Sequence, residues 1–165
     1  MAEQPDPAEL QAEAQAFRDR CRTVVLATAD ADGRPEASVT PYALDEAGHL
    51  LVFVSELARH TGNLLANPRA SALFAADEAD TRNPFARRRL VLGCRAEEIA
   101  RDSAEGAAAL ARLRARHGPT LDTLAALPDF HLFRLVVERG SYVRGFGNAW
   151  ALRGPELAPE GLRRR

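Results

Sequence analysis

Four groups of side chains in this 165-residue chain have types and spacings that suit chemistry. Ser55, Arg59, His60, Thr61 and Asn63 bring two hydroxyls, a guanidinium, an imidazole and an amide to a point where an apolar strand gives way to a short helix. Free N–H groups and the positive dipole end of such a junction suit a phosphate or carboxylate. The same residues serve equally as a helix cap with solvated charges. Arg87, Arg88 and Arg89 open a later strand, and alternation puts Arg87 and Arg89 on one face and Arg88 on the other. An arginine driven into an interior or interface needs an anion, and a phosphate or propionate is a bidentate one; the alternative is a loop end fanning three charges into water. Asp129, just after Pro128, either accepts a backbone N–H or holds an imidazole in the tautomer that ligates metal. Gly145-Phe146-Gly147, followed by Trp150, lets a flat ligand or a second backbone come close beside an aromatic face, or makes a bulge with core aromatics.

The remaining chemistry is mostly excluded. His49, His60, His117 and His131 show no HExxH or paired ligand spacing, and only His60 lies within a polar constellation. There is no GxSxG elbow and no paired-carboxylate site, so any chemistry belongs to a bound cofactor. All 22 basic residues are arginine. Without lysine there is neither an internal Schiff base nor a Walker-type phosphate loop. A net charge of −1 gives no bulk attraction to nucleic acid or an anionic membrane. No apolar run approaches the ~20 residues that span a bilayer. The polar, acidic opening MAEQPDPAEL does not read as a signal peptide, so a cytoplasmic protein is expected. Cys21 and Cys94 lack metal-pair spacing and are expected as buried free thiols.

The elements that must position these groups follow from pattern. Residues 8–20 are rich in helix formers. Residues 23–30, 36–44 and 49–55 read as strands joined by ADGRP and DEAGH, connections too short to cross over between parallel neighbours. A short helix over 60–67, capped by Ser55 or Thr61, ends at Asn67-Pro68. Strands over 69–77 and 87–99 flank a loop with at most one helical turn. Asp102 and Glu105 have capping-box spacing for a helix to about Arg116. A second helical piece stops at Leu127-Pro128, and a final hairpin turns at Arg139-Gly140. Strands with inserted helices and no βαβ alternation predict an antiparallel barrel with peripheral helices. One split-barrel domain is expected over 1–152, with 153–165 an irregular C-terminal arm.

DGRPEASVTPY, SELARHTGNLLANPRASALF, NPFARRRL, LPDFHLFRL and GFGNAW occur in that order, and together they resemble the HugZ/HutZ-type haem-utilisation proteins. These are a branch of the pyridoxamine 5′-phosphate oxidase-like, FMN-binding split barrels. The resemblance covers about residues 17–152. It implies a homodimer of six-stranded split barrels with the ligand at the subunit interface. It also implies Arg89 near haem, Asp129 orienting a proximal histidine, and a family histidine at His60. In haem-degrading relatives the axial histidine lies beyond the GFG strand, whereas here no histidine follows His131; Asn148 also stands where relatives often carry lysine.

Haem is therefore the first-choice cofactor and FMN the second. The cofactor-binding candidates are Ser55, Arg59, His60, Thr61, Asn63, Arg87, Arg89, Asp129 and Phe146, with His60 the candidate iron ligand. An electron donor is required if haem is opened. The alternatives are a flavin oxidoreductase and a non-catalytic haem carrier. The ligand reading expects the guanidiniums of 87–89 to converge with residues 59–61 in one positively charged recess beside a twofold axis.

Overall fold

In a computed structural model, which describes residues 5–162, α1 (Pro7–Arg20) leads into β1 (Thr23–Ala29), β2 (Pro35–Pro41), β3 (Ala43–Leu44) and β4 (Leu50–Ser55). Then come α2 (Arg59–Ala66), β5 (Arg69–Ala75), a 3-10 turn at Pro84–Ala86 and β6 (Arg89–Ile99). The chain continues through α3 (Ala104–His117), α4 (Thr120–Ala125), β7 (Phe130–Gly145), β8 (Asn148–Arg153) and β9 (Ala158–Leu162). Helix α1 starts where it does because the Asp6 carboxylate accepts from the Ala8 N–H at 3.1 Å and proline occupies the first turn. Its buried residues Leu10, Ala14 and Phe17 recur at helical spacing and face the barrel core.

All strand pairs are antiparallel, in the order β2-β1-β5-β6-β7-β4-β3, with β8 and β9 continuing from β7. Strand β2 also contacts β4, so the sheet curls back on itself. Alternation sorts the faces: Val24, Leu26, Ala72, Phe74, Leu90 and Leu92 enter the core, while Val25, Leu73 and Val91 turn outward. The uninterrupted apolar run of β4 has a different cause, because both of its faces are covered. Leu50, Val52 and Val54 fill the barrel, while Leu51 and Phe53 join Ile99, Leu132, Leu113 and Leu121 in a second core under α3 and α4.

Three expectations are corrected. The 130–145 segment is one 16-residue strand, not a hairpin turning at Arg139-Gly140. Gly140 is paired on both sides, with Leu92 and Leu152, and a Cβ there would lie 3.0 Å from the Leu92 side chain. Glycine serves close strand packing at that point, and the bend is a bulge beside Gly93 and Cys94. The described part of the 153–165 arm is not irregular: Ala158–Leu162 pairs with β8, while residues 163–165 lie outside the described residues. Helix α3 is capped by Ser103, which accepts from the Gly106 N–H at 2.9 Å, rather than by Asp102. Cys94 is buried and its thiol is pushed up to about 12 by that burial, while Cys21 is half-buried.

Candidate functional site

The β4–α2 junction is knitted by the residues the sequence singled out. The Ser55 hydroxyl donates to the Asp129 carboxylate at 2.9 Å and accepts from the Leu57 N–H at 3.2 Å. The Thr61 hydroxyl donates to the Ser55 carbonyl at 2.6 Å, and the Asn63 amide donates to the Thr28 hydroxyl at 3.0 Å. Neither Ser55 nor Thr61 caps α2; the N-cap is Ala58, which has no capping side chain, so among the described residues its first-turn N–H groups receive no side-chain acceptor. Arg59 is largely exposed, 3.6 Å from Glu36. With Asp30, Arg34, Pro35, Glu36 and Asn63 it lines a recess of mixed charge. The hydroxyl hydrogens of Ser55 and Thr61 are thus committed within the protomer.

His60 is buried in this junction, and its Nδ1 lies 2.8 Å from the Ser38 hydroxyl on β2. The same hydroxyl lies 3.4 Å from the Leu26 carbonyl oxygen on β1. Burial pulls the His60 pKa down against the opposing pull of Glu36, which favours the neutral ring.

The three arginines have separate fates. Arg88 turns inward, donating to the Tyr142 hydroxyl at 2.6 Å and Glu13 at 3.0 Å, with its guanidinium over the Phe17 ring. Arg87 folds back on the β5–β6 loop, onto the Ala76 carbonyl and Glu78. Arg89, half-buried, shares the outward face with Val91 and Gly93, and among the described residues its guanidinium bonds only the Arg87 carbonyl, at 3.0 Å. The expected convergence with residues 59–61 does not occur within the protomer. Arg89 is in register with Ala75, two residues past the Leu73 that faces Val25, whereas Asn63 is tied to Thr28. At about 3.3 Å per residue, these levels of the sheet stand about 17 Å apart.

The outward face between those levels is mainly apolar: Val25 faces Val39 and Leu73, Ala27 faces Ala37 and Ser71, and Leu73 also faces Val91. Val39 is 63% exposed and Val25 36%. Phe146 stands in solvent at the β7–β8 turn, where Gly147 takes φ +68°. It borders a shallow recess with Glu13, Arg88, Arg144 and Asn148. Trp150 is core, tied to Asn148.

Two polar networks escaped sequence reading. Glu13 of α1 accepts from Tyr142 at 2.7 Å, Arg88 at 3.0 Å and Arg144 at 2.7 Å. Burial alone would raise its pKa, but those three partners outweigh it and hold it below the usual value. His131 bridges Glu56 at 2.9 Å and Glu98 at 2.6 Å, and these two carboxylates raise its pKa. Each network joins segments far apart in sequence, so no local pattern announces it.

An all-antiparallel curled sheet with this helix placement is the fold of the pyridoxamine 5′-phosphate oxidase family, which matches residues 10–144, and the chain belongs to that family, in its HutZ-type branch. The protein called heme oxygenase HutZ in Vibrio cholerae is 39% identical over 148 residues, covering 90% of this chain and 84% of its own. A crystal structure of HutZ, described as the heme storage protein of that organism, superposes with a TM-score of 0.71 over 76% of this chain and 88% of its own. A heme-binding protein from Mycobacterium smegmatis, 30% identical, has a TM-score of 0.78 over 95% of this chain, which spans 62% of that one. Campylobacter jejuni ChuZ, 24% identical, shares the fold with a TM-score of 0.83 over 97% of this chain and 65% of its own.

Proposed function

We propose that this chain is a haem-utilisation protein that holds haem between two copies of itself. The observation that carries the reading is Arg89. It is a half-buried guanidinium on an apolar face, and no carboxylate partner pairs with it among the described residues. A propionate meets that need, and the surrounding Val91, Leu73 and Val25 suit a porphyrin ring. The relatives named for heme oxygenation, heme storage and heme binding support the same cofactor.

Homodimerisation belongs to this reading for two reasons. The β2-β1-β5-β6 face leaves Val39 and Val25 exposed, an apolar surface that a second copy would cover. Arg89 and His60 stand at different levels of the sheet in one protomer, and this reading gives the ligand role of His60 to the second copy. The neutral, Nδ1-bonded His60 ring fits an iron ligand, and Ser38 is its positioning residue. Haem held there would supply oxidative ring opening when dioxygen and an electron donor are provided. The free thiols of Cys21 and Cys94 suit a reducing, cytoplasmic setting. An FMN phosphate at the β4–α2 junction would rely on Arg59 and the uncapped N–H groups, since the Ser55 and Thr61 hydroxyl hydrogens are already used.

The test is parallel titration of the protein with haemin and with FMN, with sedimentation to establish the oligomeric state. A Soret band that shifts on binding, weakens in affinity in Arg89→Ala and moves in wavelength in His60→Ala is expected from a dimer. A protein that binds FMN but not haemin, or a monomer whose haemin spectrum ignores both substitutions, overturns the reading.

A further inference from the structure

The β5–β6 loop and the β7–β8 turn extend from the same end of the sheet, because Arg89 opens β6 opposite Val143 near the end of β7. The Pro84–Ala86 turn of that loop packs against β7. Each tip carries a phenylalanine the fold leaves in water: Phe85 is 83% exposed and Phe146 81%. The Phe85 backbone is constrained. The Asn83 side chain accepts from the Phe85 N–H at 3.1 Å, with Pro84 fixing the turn between them. Phe146 stands between two glycines, the second in the left-handed region. A ring held out by a fixed turn, as Phe85 is, is presented at low conformational cost, as binding aromatics are. Among the described residues neither ring stacks on another aromatic.

We infer that Phe85 and Phe146 form an aromatic rim beside Arg89 that receives the flat face of a porphyrin while Arg89 takes one of its carboxylates. Phe85 is the residue this adds to the candidates Phe146 and Arg89. The inference rests on the haem reading. Its occupant is fixed by chemistry at one edge: two faces for π-stacking and a cation without a carboxylate partner match a planar dicarboxylate. The rim contains no metal ligand, so it should grip the macrocycle whether or not iron is present.

That last point supplies the experiment. The intact chain, Phe85→Ala, Phe146→Ala and the double variant are titrated with metal-free protoporphyrin IX, followed by porphyrin fluorescence, and with haemin, followed by the Soret band. Thermal unfolding should be unchanged because both rings are exposed. The double variant should lose about tenfold or more in affinity for both ligands. His60→Ala, by contrast, should affect haemin alone. Porphyrin affinity within about twofold of wild type in the double variant overturns the rim while leaving the haem reading intact. Dissociation of the dimer by either substitution also overturns it, since the rings would then be subunit contacts. A wild-type chain that binds neither ligand overturns both readings.

Discussion

Removing the Glu13 carboxylate should loosen α1 from the barrel, and the size of the effect can be worked from its surroundings. Three donors converge on this group: the Tyr142 hydroxyl, Arg88 and Arg144. Hydrogen bonds to charged groups contribute about 1.5–3 kcal/mol when sheltered. Here the Glu13 side chain is 30% exposed and its arginine partners 37% and 31%, so solvent screening cuts the Coulombic part. Glu13→Ala should therefore cost about 2 kcal/mol, equivalent to a fall of about 4–8 °C in Tm for a chain of this length. Glu13→Gln, which keeps an acceptor for Tyr142 but loses the charge, should cost about half as much. Urea unfolding, combined with Tyr142→Phe in a double-mutant cycle, measures both the loss and the coupling. The pH dependence provides a second check. The folded pKa lies below 4.5, so the contribution is complete above that value and disappears as pH falls through the folded pKa. The gap between wild type and Glu13→Gln should be full at neutral pH and close in acid. A Glu13→Ala loss under about 0.5 kcal/mol, or strict additivity with Tyr142→Phe, would refute the claim that this network anchors α1.

Two more outcomes follow from other sites. Gly106→Ala should destabilise by about 1–3 kcal/mol in chemical denaturation, although alanine normally favours a helix, because its Cβ would stand 2.2 Å from the Ala100 carbonyl oxygen. His131→Asn should be less stable than wild type below pH 6.5. The difference should fade as pH rises through the elevated folded pKa, because charged His131 is what binds Glu56 and Glu98. An undiminished gap at alkaline pH would show that the ring acts by packing alone.

What the sequence discloses, and what it hides, separates along physical lines. The alternation of TVVLATA and the continuous run of HLLVFVS report burial on one face and on two, and both segments became strands. Asn67-Pro68 and Leu127-Pro128 ended helical pieces because proline cannot continue them. Arg139-Gly140 misled because glycine marks a tight approach as readily as a turn, and only the neighbouring strands decide which. Among the arginines, alternation correctly set Arg88 against Arg89. It could not foresee that Arg88 would find Glu13, a residue 75 positions away. The junction residues were recognised by type, yet their hydrogens turned out to be used internally, a matter of angles and distances that composition does not carry. The Ser38–His60 bond likewise depends on β2 lying beside α2, which spacing along the chain does not reveal.

Strand β7 has a consequence for how the molecule is made. It is the common neighbour of β4, β6 and β8, and it arrives only after α3 and α4 have been synthesised. Until then the nascent chain holds strands β4 and β6 with open hydrogen-bonding edges and the halves of two hydrophobic cores uncovered. A product ending before residue 130 would therefore be sticky rather than merely incomplete. Closure depends on contacts of long sequence separation, and refolding should be correspondingly slow.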